Sequence, residues 1–192
     1  TIIEIVEARL PKIDNLIIGG GVAYTFAKAL GYNIGNSLLE KDFVKIAKRI
    51  LSKAKEFDVN VHLPEDCIIA DTNRNDANIE HCEFSKIPDN WTALDIGIKT
   101  VDNFVDVIEK SKTLLWDGPM GVYEMPHFSF GTMKIALSVA RATDKGLHSV
   151  VGGGDTIAAL NKYSLAHKIS YISSAGGALL EYIKGKNLHS IK

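Results

Sequence analysis

The placement of glycine constrains this chain more than any other feature. Short β-rich runs end in Gly19-Gly20-Gly21, Gly118-Pro119-Met120-Gly121, Gly152-Gly153-Gly154 and Gly176-Gly177. Most of them lead straight into a helical pattern. Glycine admits positive φ and lets other groups approach the backbone closely, so repeating it at strand exits commits a chain to tight strand-to-helix turns. Segments between the clusters fit. Residues 16–18, 61–63, 67–70, 93–95, 113–116, 149–151 and 169–172 read as strands. Helices are predicted over 22–30, 41–57, 101–110, 131–143, from Asp155 onward, and over 178–183. In the second of these, Phe43, Val44, Ile46, Ala47, Ile50, Leu51 and Ala54 share one apolar side. Residues 71–90, rich in Asn and Asp, read as a loop. The alternation predicts an α/β fold: a three-layer Rossmann-like domain with a mostly parallel central sheet and helices on both faces. One domain over 1–192 is the simplest division.

Residues 1–10 read as the body of an amphipathic helix, with Ile2, Ile3, Val6 and Leu10 on one face and Glu4 and Glu7 outward. No Met and no capping box precede it, so the expectation is a chain truncated at its N-terminus. The net charge of -1 gives no electrostatic footprint for nucleic acid. No apolar run approaches the ~18–20 residues of a membrane span, and the first residues do not form a signal peptide. Cys67 lies in an apolar run and Cys82 beside His81, spacings that point to structural roles rather than zinc. A cytoplasmic monomer is expected.

Parallel strands end on one side of their sheet, so the glycine turns are expected to converge on the carboxyl edge, where open α/β sheets bind ligands. There, backbone amides and the positive ends of helices favour phosphate. A single cluster is explained about equally well by the turn itself; several clusters at one edge favour a polyphosphate. Both standard nucleotide signatures are missing. Tyr24 and Ile157 break the dinucleotide fingerprint, and no G-x-x-x-x-G-K-[ST] occurs. Asp155, beside Gly154, reads either as a helix N-cap or as a magnesium ligand beside a nucleotide phosphate. Thr156 can add a hydroxyl contact. Glu124 is either a surface carboxylate or the acceptor for two ribose hydroxyls.

Several strings together carry a resemblance. Gly19-Gly20-Gly21-Val22-Ala23-Tyr24-Thr25-Phe26, Leu63-Pro64-Glu65-Asp66 and Leu94-Asp95-Ile96-Gly97 come first. Then follow Trp116-Asp117-Gly118-Pro119-Met120-Gly121-Val122-Tyr123-Glu124, Gly152-Gly153-Gly154-Asp155-Thr156 and Ser173-Ser174-Ala175-Gly176-Gly177. In this order the chain resembles the C-terminal, nucleotide-binding domain of phosphoglycerate kinases. The resemblance implies phosphoryl transfer between 1,3-bisphosphoglycerate and MgADP, giving 3-phosphoglycerate and MgATP. It implies Gly20, Gly21, Leu38, Ala93 and Leu94 around adenine, Pro119, Gly121 and Val122 beside base and ribose, and Glu124 on the ribose hydroxyls. Gly153, Gly154, Asp155 and Thr156 then meet the phosphates, with Asp155 on Mg2+. Gly153, Gly154, Gly176 and Gly177 face the transferring group.

Phosphoryl transfer depends on positioning and charge neutralisation. None of the glycine clusters contains Lys or Arg, and Lys28 lies too far along its helix. By the resemblance, lysines of a Gly-Gly-Ala-Lys segment lie just upstream, and the arginines that hold phosphoglycerate belong to an absent N-terminal domain. The fragment alone is therefore expected to bind nucleotide weakly and not to turn over. Departures from the family pattern are Ala93 and Ala175 for Gly, Ile98 for Pro, and Leu179 for a small polar residue. A non-catalytic nucleotide-binding or interaction module is the alternative; a dinucleotide dehydrogenase is disfavoured by the broken fingerprint.

Overall fold

The computed structural model describes residues 2–173, the side chains of residues 2–5 excepted. The turn at Gly176-Gly177, the helix expected at 178–183, and the departures Ala175 and Leu179 lie outside the described residues. Helix α1 (Ile2–Arg9) passes into β1 (Asn15–Ile17), and the first glycine cluster opens α2 (Gly21–Ala29). After β2 (Asn33–Ile34), a 3-10 turn leads into α3 (Val44–Glu56), followed by β3 (Asn60–His62) and β4 (Asp66–Ala70). Next come β5 (Ile79–Glu83), β6 (Lys86–Ile87), β7 (Thr92–Ile96) and α4 (Ile98–Glu109). The remainder is β8 (Thr113–Asp117), α5 (Phe130–Asp144), β9 (His148–Gly152), α6 (Gly154–Lys162) and β10 (Tyr171–Ile172).

Among the described residues three of the four sheets are parallel: β1 with β3, β2 with β6, and β9 between β8 and β10. Helices make the crossovers, as parallel neighbours require. The fourth sheet is antiparallel, with β4 between β5 and β7. Chain length explains the switch. Only residues 71–78 link β4 to β5, and a link that short cannot make the crossover needed for a parallel pair.

The 71–90 segment is not the loop expected. It holds β5 and β6, because β5 is an edge strand whose Glu80, His81 and Glu83 stand in water while Ile79 and Cys82 are half-buried. Composition hides such a strand; pairing with β4 creates it. Cys67 and Cys82 face each other across that ladder with Sγ atoms 3.5 Å apart, both as free thiols.

Two larger cores flank the parallel strands. One gathers Leu10, Leu16, Tyr24, Phe26, Ile50, Ile69 and Phe84 around α2 and α3. The other gathers Ile96, Phe104, Trp116, Ile135, Val139, Val151 and Leu160 around α4, α5 and α6. A smaller cluster of Ile68, Ala70, Leu94 and Phe128 lies beneath the loop after β8. In α3 the expected stripe is realised: Ala47, Ile50 and Ala54 are buried while lysines occupy the opposite face. Truncating fully buried Ile50 to alanine removes contacts worth about 2–5 kcal/mol. Outside the core, Glu7 of α1 takes a two-pronged contact from Arg49 and another from Lys53, fastening α1 to α3.

Candidate nucleotide site

Strand register brings two of the glycine segments together. Asp117 at the end of β8 pairs with Gly152 at the end of β9, so the Gly118 loop and the Gly153 turn leave the sheet side by side. The buried Thr156 hydroxyl accepts the Gly118 N–H at 2.7 Å and ties them. Gly153 is the N-cap of α6 with φ of 84°, and a β-carbon on it would strike the Asp117 carboxylate. No L-residue fits both conditions. The first bond inside α6 runs from Ile157 N–H to Gly153 O, so the N–H groups of Gly154, Asp155 and Thr156 precede the intrahelical ladder.

The third segment, which leaves β1 in a neighbouring sheet, meets the Gly118 loop. A side chain on Gly20 would collide with the Pro119 carbonyl oxygen, and one on Gly21 with Leu38 Cδ2 at 2.6 Å. Leu38 is 61% exposed, a large apolar group left in water beside the glycines. Its segment is pinned to β7, where the buried Ser37 hydroxyl accepts the Ala93 N–H at 2.9 Å. Leu94 keeps its side chain in the small cluster with Phe128 and reaches the loop through its carbonyl, which accepts the Val122 N–H at 2.9 Å. Asp95, fully buried, accepts N–H groups from Ile96 and Gly131. Burial pushes its carboxyl up to about 7 against the pull of those two bonds.

Glu124 and Asp155 are both exposed, and both act on one ring. The buried Tyr123 phenol is raised first by desolvation and then by the charges of Glu124 and Asp155, so the two acids share the surface around it. Asp155 is not the N-cap. Gly153 takes that position, and Asp155 stands in the first turn with its carboxylate unpartnered among the described residues. A negative charge there is favoured by the helix dipole. Across Gly153, the Asp117 carboxyl is also raised by burial. Mg2+ is a hard cation that takes one or two carboxylates and fills its other positions with water and phosphate oxygens. Exposed Asp155, with Asp117 as neighbour, fits that demand; among the described residues no group of three His, Cys, Asp or Glu could form a cage of its own.

One cation escaped the sequence reading, which searched only the turns. Lys162, at the far end of α6, donates from Nζ to the Tyr123 carbonyl at 2.7 Å and lies 5.7 Å from the Tyr123 ring centroid. A spacing of seven from Asp155 puts both on one helix face, a signal that was available. The Thr156 hydroxyl, expected to face a phosphate, is taken up by Gly118; its N–H stays with the free group at the α6 start. Ile98 opens α4 at its first position, where proline is common because the missing N–H is an orphan anyway, and it is 60% exposed. Replacing proline there disturbs little.

Parallel strand–turn–helix units, with glycine turns at the strand ends, define a Rossmann-like α/β domain. The chain belongs to the phosphoglycerate kinase family, whose model matches residues 1–186. It is 48% identical over 191 residues to the phosphoglycerate kinase of Porphyromonas gingivalis, covering 100% of this chain and 46% of the relative. For that of Thermosynechococcus vestitus the identity is 44% over 189 residues, covering 98% and 47%. The structure of phosphoglycerate kinase from Coxiella burnetii superposes with a TM-score of 0.91 at 42% identity, covering 96% of this chain and 47% of that one. The enzyme from Pyrococcus horikoshii OT3 gives 0.77 at 27% identity, covering 97% and 46%. The chain thus spans about half the length of the relatives it matches.

Proposed function

We propose that this chain is the adenine-nucleotide-binding part of a phosphoglycerate kinase, a monomeric cytoplasmic glycolytic enzyme. In the proposed reaction the bond from phosphorus to the acyl oxygen of 1,3-bisphosphoglycerate breaks. A β-phosphate oxygen of ADP takes the phosphoryl group, leaving 3-phosphoglycerate and ATP. Phosphoglycerate is held by parts of the protein outside this chain. Here Gly20, Gly21, Leu38 and Leu94 line the base slot with Ala93 beside it, and Pro119, Gly121 and Val122 flank base and ribose. Glu124 accepts hydrogen bonds from the ribose hydroxyls. Gly153, Gly154, Asp155 and Thr156 offer N–H groups and a carboxylate to the phosphates, and Gly176 and Gly177 complete the group facing the transferring phosphoryl. Bound Mg2+ would supply charge neutralisation on the phosphates; Asp155 holds it, with Asp117 alongside.

The observation that carries this reading is the meeting of three glycine segments at the ends of β1, β8 and β9, with the charges of Glu124 and Asp155 both felt by Tyr123. Transfer of this kind asks the protein for position and electrostatics rather than covalent chemistry. Lys162 is engaged by Tyr123 and the glycine turns hold no cation, so the chain alone binds nucleotide without turning it over. Calorimetry of the chain with MgADP and with NAD tests the reading. MgADP binding with NAD inert supports it; equal binding of NAD, or no MgADP binding, refutes it. A phosphoryl back-transfer assay on the chain alone that gave turnover would refute the non-catalytic status of the isolated piece.

A further inference from the structure

Three consecutive N–H groups of the loop after β8 turn inward instead of toward solvent. Thr132 Oγ1 accepts those of Met120 at 3.1 Å and Gly121 at 3.2 Å, and the Leu94 carbonyl accepts that of Val122. A hydroxyl oxygen has two lone pairs, and both are used here. Thr132 is fully buried in the first turn of α5, a helix held in the core by Ile135, Ala136 and Val139. The loop also has no sideways play. Gly121 abuts the Asp95 carboxylate and the Phe128 carbonyl, while the Pro119 carbonyl abuts Gly20 on the opposite side.

We propose that Thr132 is a positioning residue that fixes where the Met120–Val122 stretch stands relative to Gly21 and Leu38 by holding two of its amides. It touches no ligand and acts through the loop. This inference rests on the nucleotide reading above. It separates the base-and-ribose half of the site, which depends on Thr132, from the phosphate half at the start of α6, which does not.

Thr132→Val keeps the shape and removes the acceptor; Thr132→Ser keeps the acceptor and loses a methyl. Calorimetry compares the unaltered chain and both variants with MgADP and with magnesium tripolyphosphate, a phosphate tail without base or ribose. Thr132→Val is expected to weaken MgADP about tenfold, as two buried amides lose their partner, and to leave tripolyphosphate within about twofold. Thr132→Ser is expected to restore MgADP binding. Unchanged MgADP binding by Thr132→Val, equal loss of both ligands, or failure of serine to rescue overturns the inference. If the unaltered chain binds neither ligand, the nucleotide reading fails first and takes this inference with it. Amide hydrogen exchange on the unaltered chain gives a check free of folding defects in the variants. Met120 and Gly121 are expected to be protected like the interior of α5, and exchange at exposed-loop rates sinks the proposal.

Discussion

Raising the pH from about 4 to about 7 begins to load a charge onto Asp95 inside the core. Two effects compete there. The N–H groups of Ile96 and Gly131, the second at the start of α5, favour the carboxylate, while complete burial favours the acid. Burial wins, moving the carboxyl from 3.8 to about 7. A folded-state value above the unfolded one means that the stabilisation is complete below the unfolded value and is lost as pH rises through the folded one. About three pH units at about 1.4 kcal/mol each give a loss on the order of 4 kcal/mol across that window. The groups that sense Asp95, Tyr24 and Tyr163, are phenols raised above 10 and stay neutral throughout. The assay is urea denaturation of the unaltered chain and of Asp95→Asn, in steps of pH, plotted as a difference. The amide breaks one hydrogen bond and shifts the whole curve, so the slope carries the information. Expected is a steady fall in the stability of the unaltered chain relative to Asp95→Asn between about pH 4 and 7. A flat difference, or one rising with pH, would show that the two N–H groups outweigh burial and would refute the reasoning.

Glu7 carries the opposite sign. Hydrogen bonds from Arg49 and Lys53 hold its carboxyl down to about 2, so its contribution is present above the unfolded value of 4.5 and is lost as pH falls through about 2. Glu7→Gln is expected to lower stability at neutral pH by about 0.5–1 kcal/mol, read by thermal melting; no change in the melting temperature would leave α1 held by its apolar face alone. Asp155→Ala is expected to abolish most of the magnesium dependence of ADP binding while sparing metal-free affinity, and equal loss with and without metal would remove Asp155 from the metal site. Lys162→Met frees the Tyr123 carbonyl and is expected to weaken ADP a few-fold and blunt discrimination against 2′-deoxy-ADP; calorimetry giving unchanged values would detach Lys162 from the Glu124 loop.

What was legible in the sequence was whatever periodicity or glycine placement records locally. The α3 stripe and the turns at Gly19–Gly21 and Gly152–Gly154 are of this kind. β5 was hidden because an edge strand with one solvent face can be Ile-Glu-His-Cys-Glu, a composition that reads as loop until β4 lies beside it. β2 and β6 are two residues each, too short for any pattern to register. In the run Gly152-Gly153-Gly154-Asp155 propensity offers the acid as one possible cap; the positive φ that decides for Gly153 is a property of the folded turn. Thr132 acts on a main-chain group 11 residues away, and a backbone partner at that distance leaves no trace in side-chain spacing; for Lys162, spacing shows the helix face shared with Asp155 but not the Tyr123 carbonyl 39 residues away.

Gly153 and Gly154 adjoin in the chain, yet only the first is demanded by its own backbone. Gly154 lies outside the left-handed region, and a β-carbon on it would touch nothing within 4 Å among the described residues. Glycine within a helix is less favourable than alanine by about 0.5–1 kcal/mol. Left to itself, the fold would prefer alanine at 154. Among the described residues the methyl-sized clearance kept at the mouth of α6 serves no contact, and it lies where the proposed reading puts a phosphate.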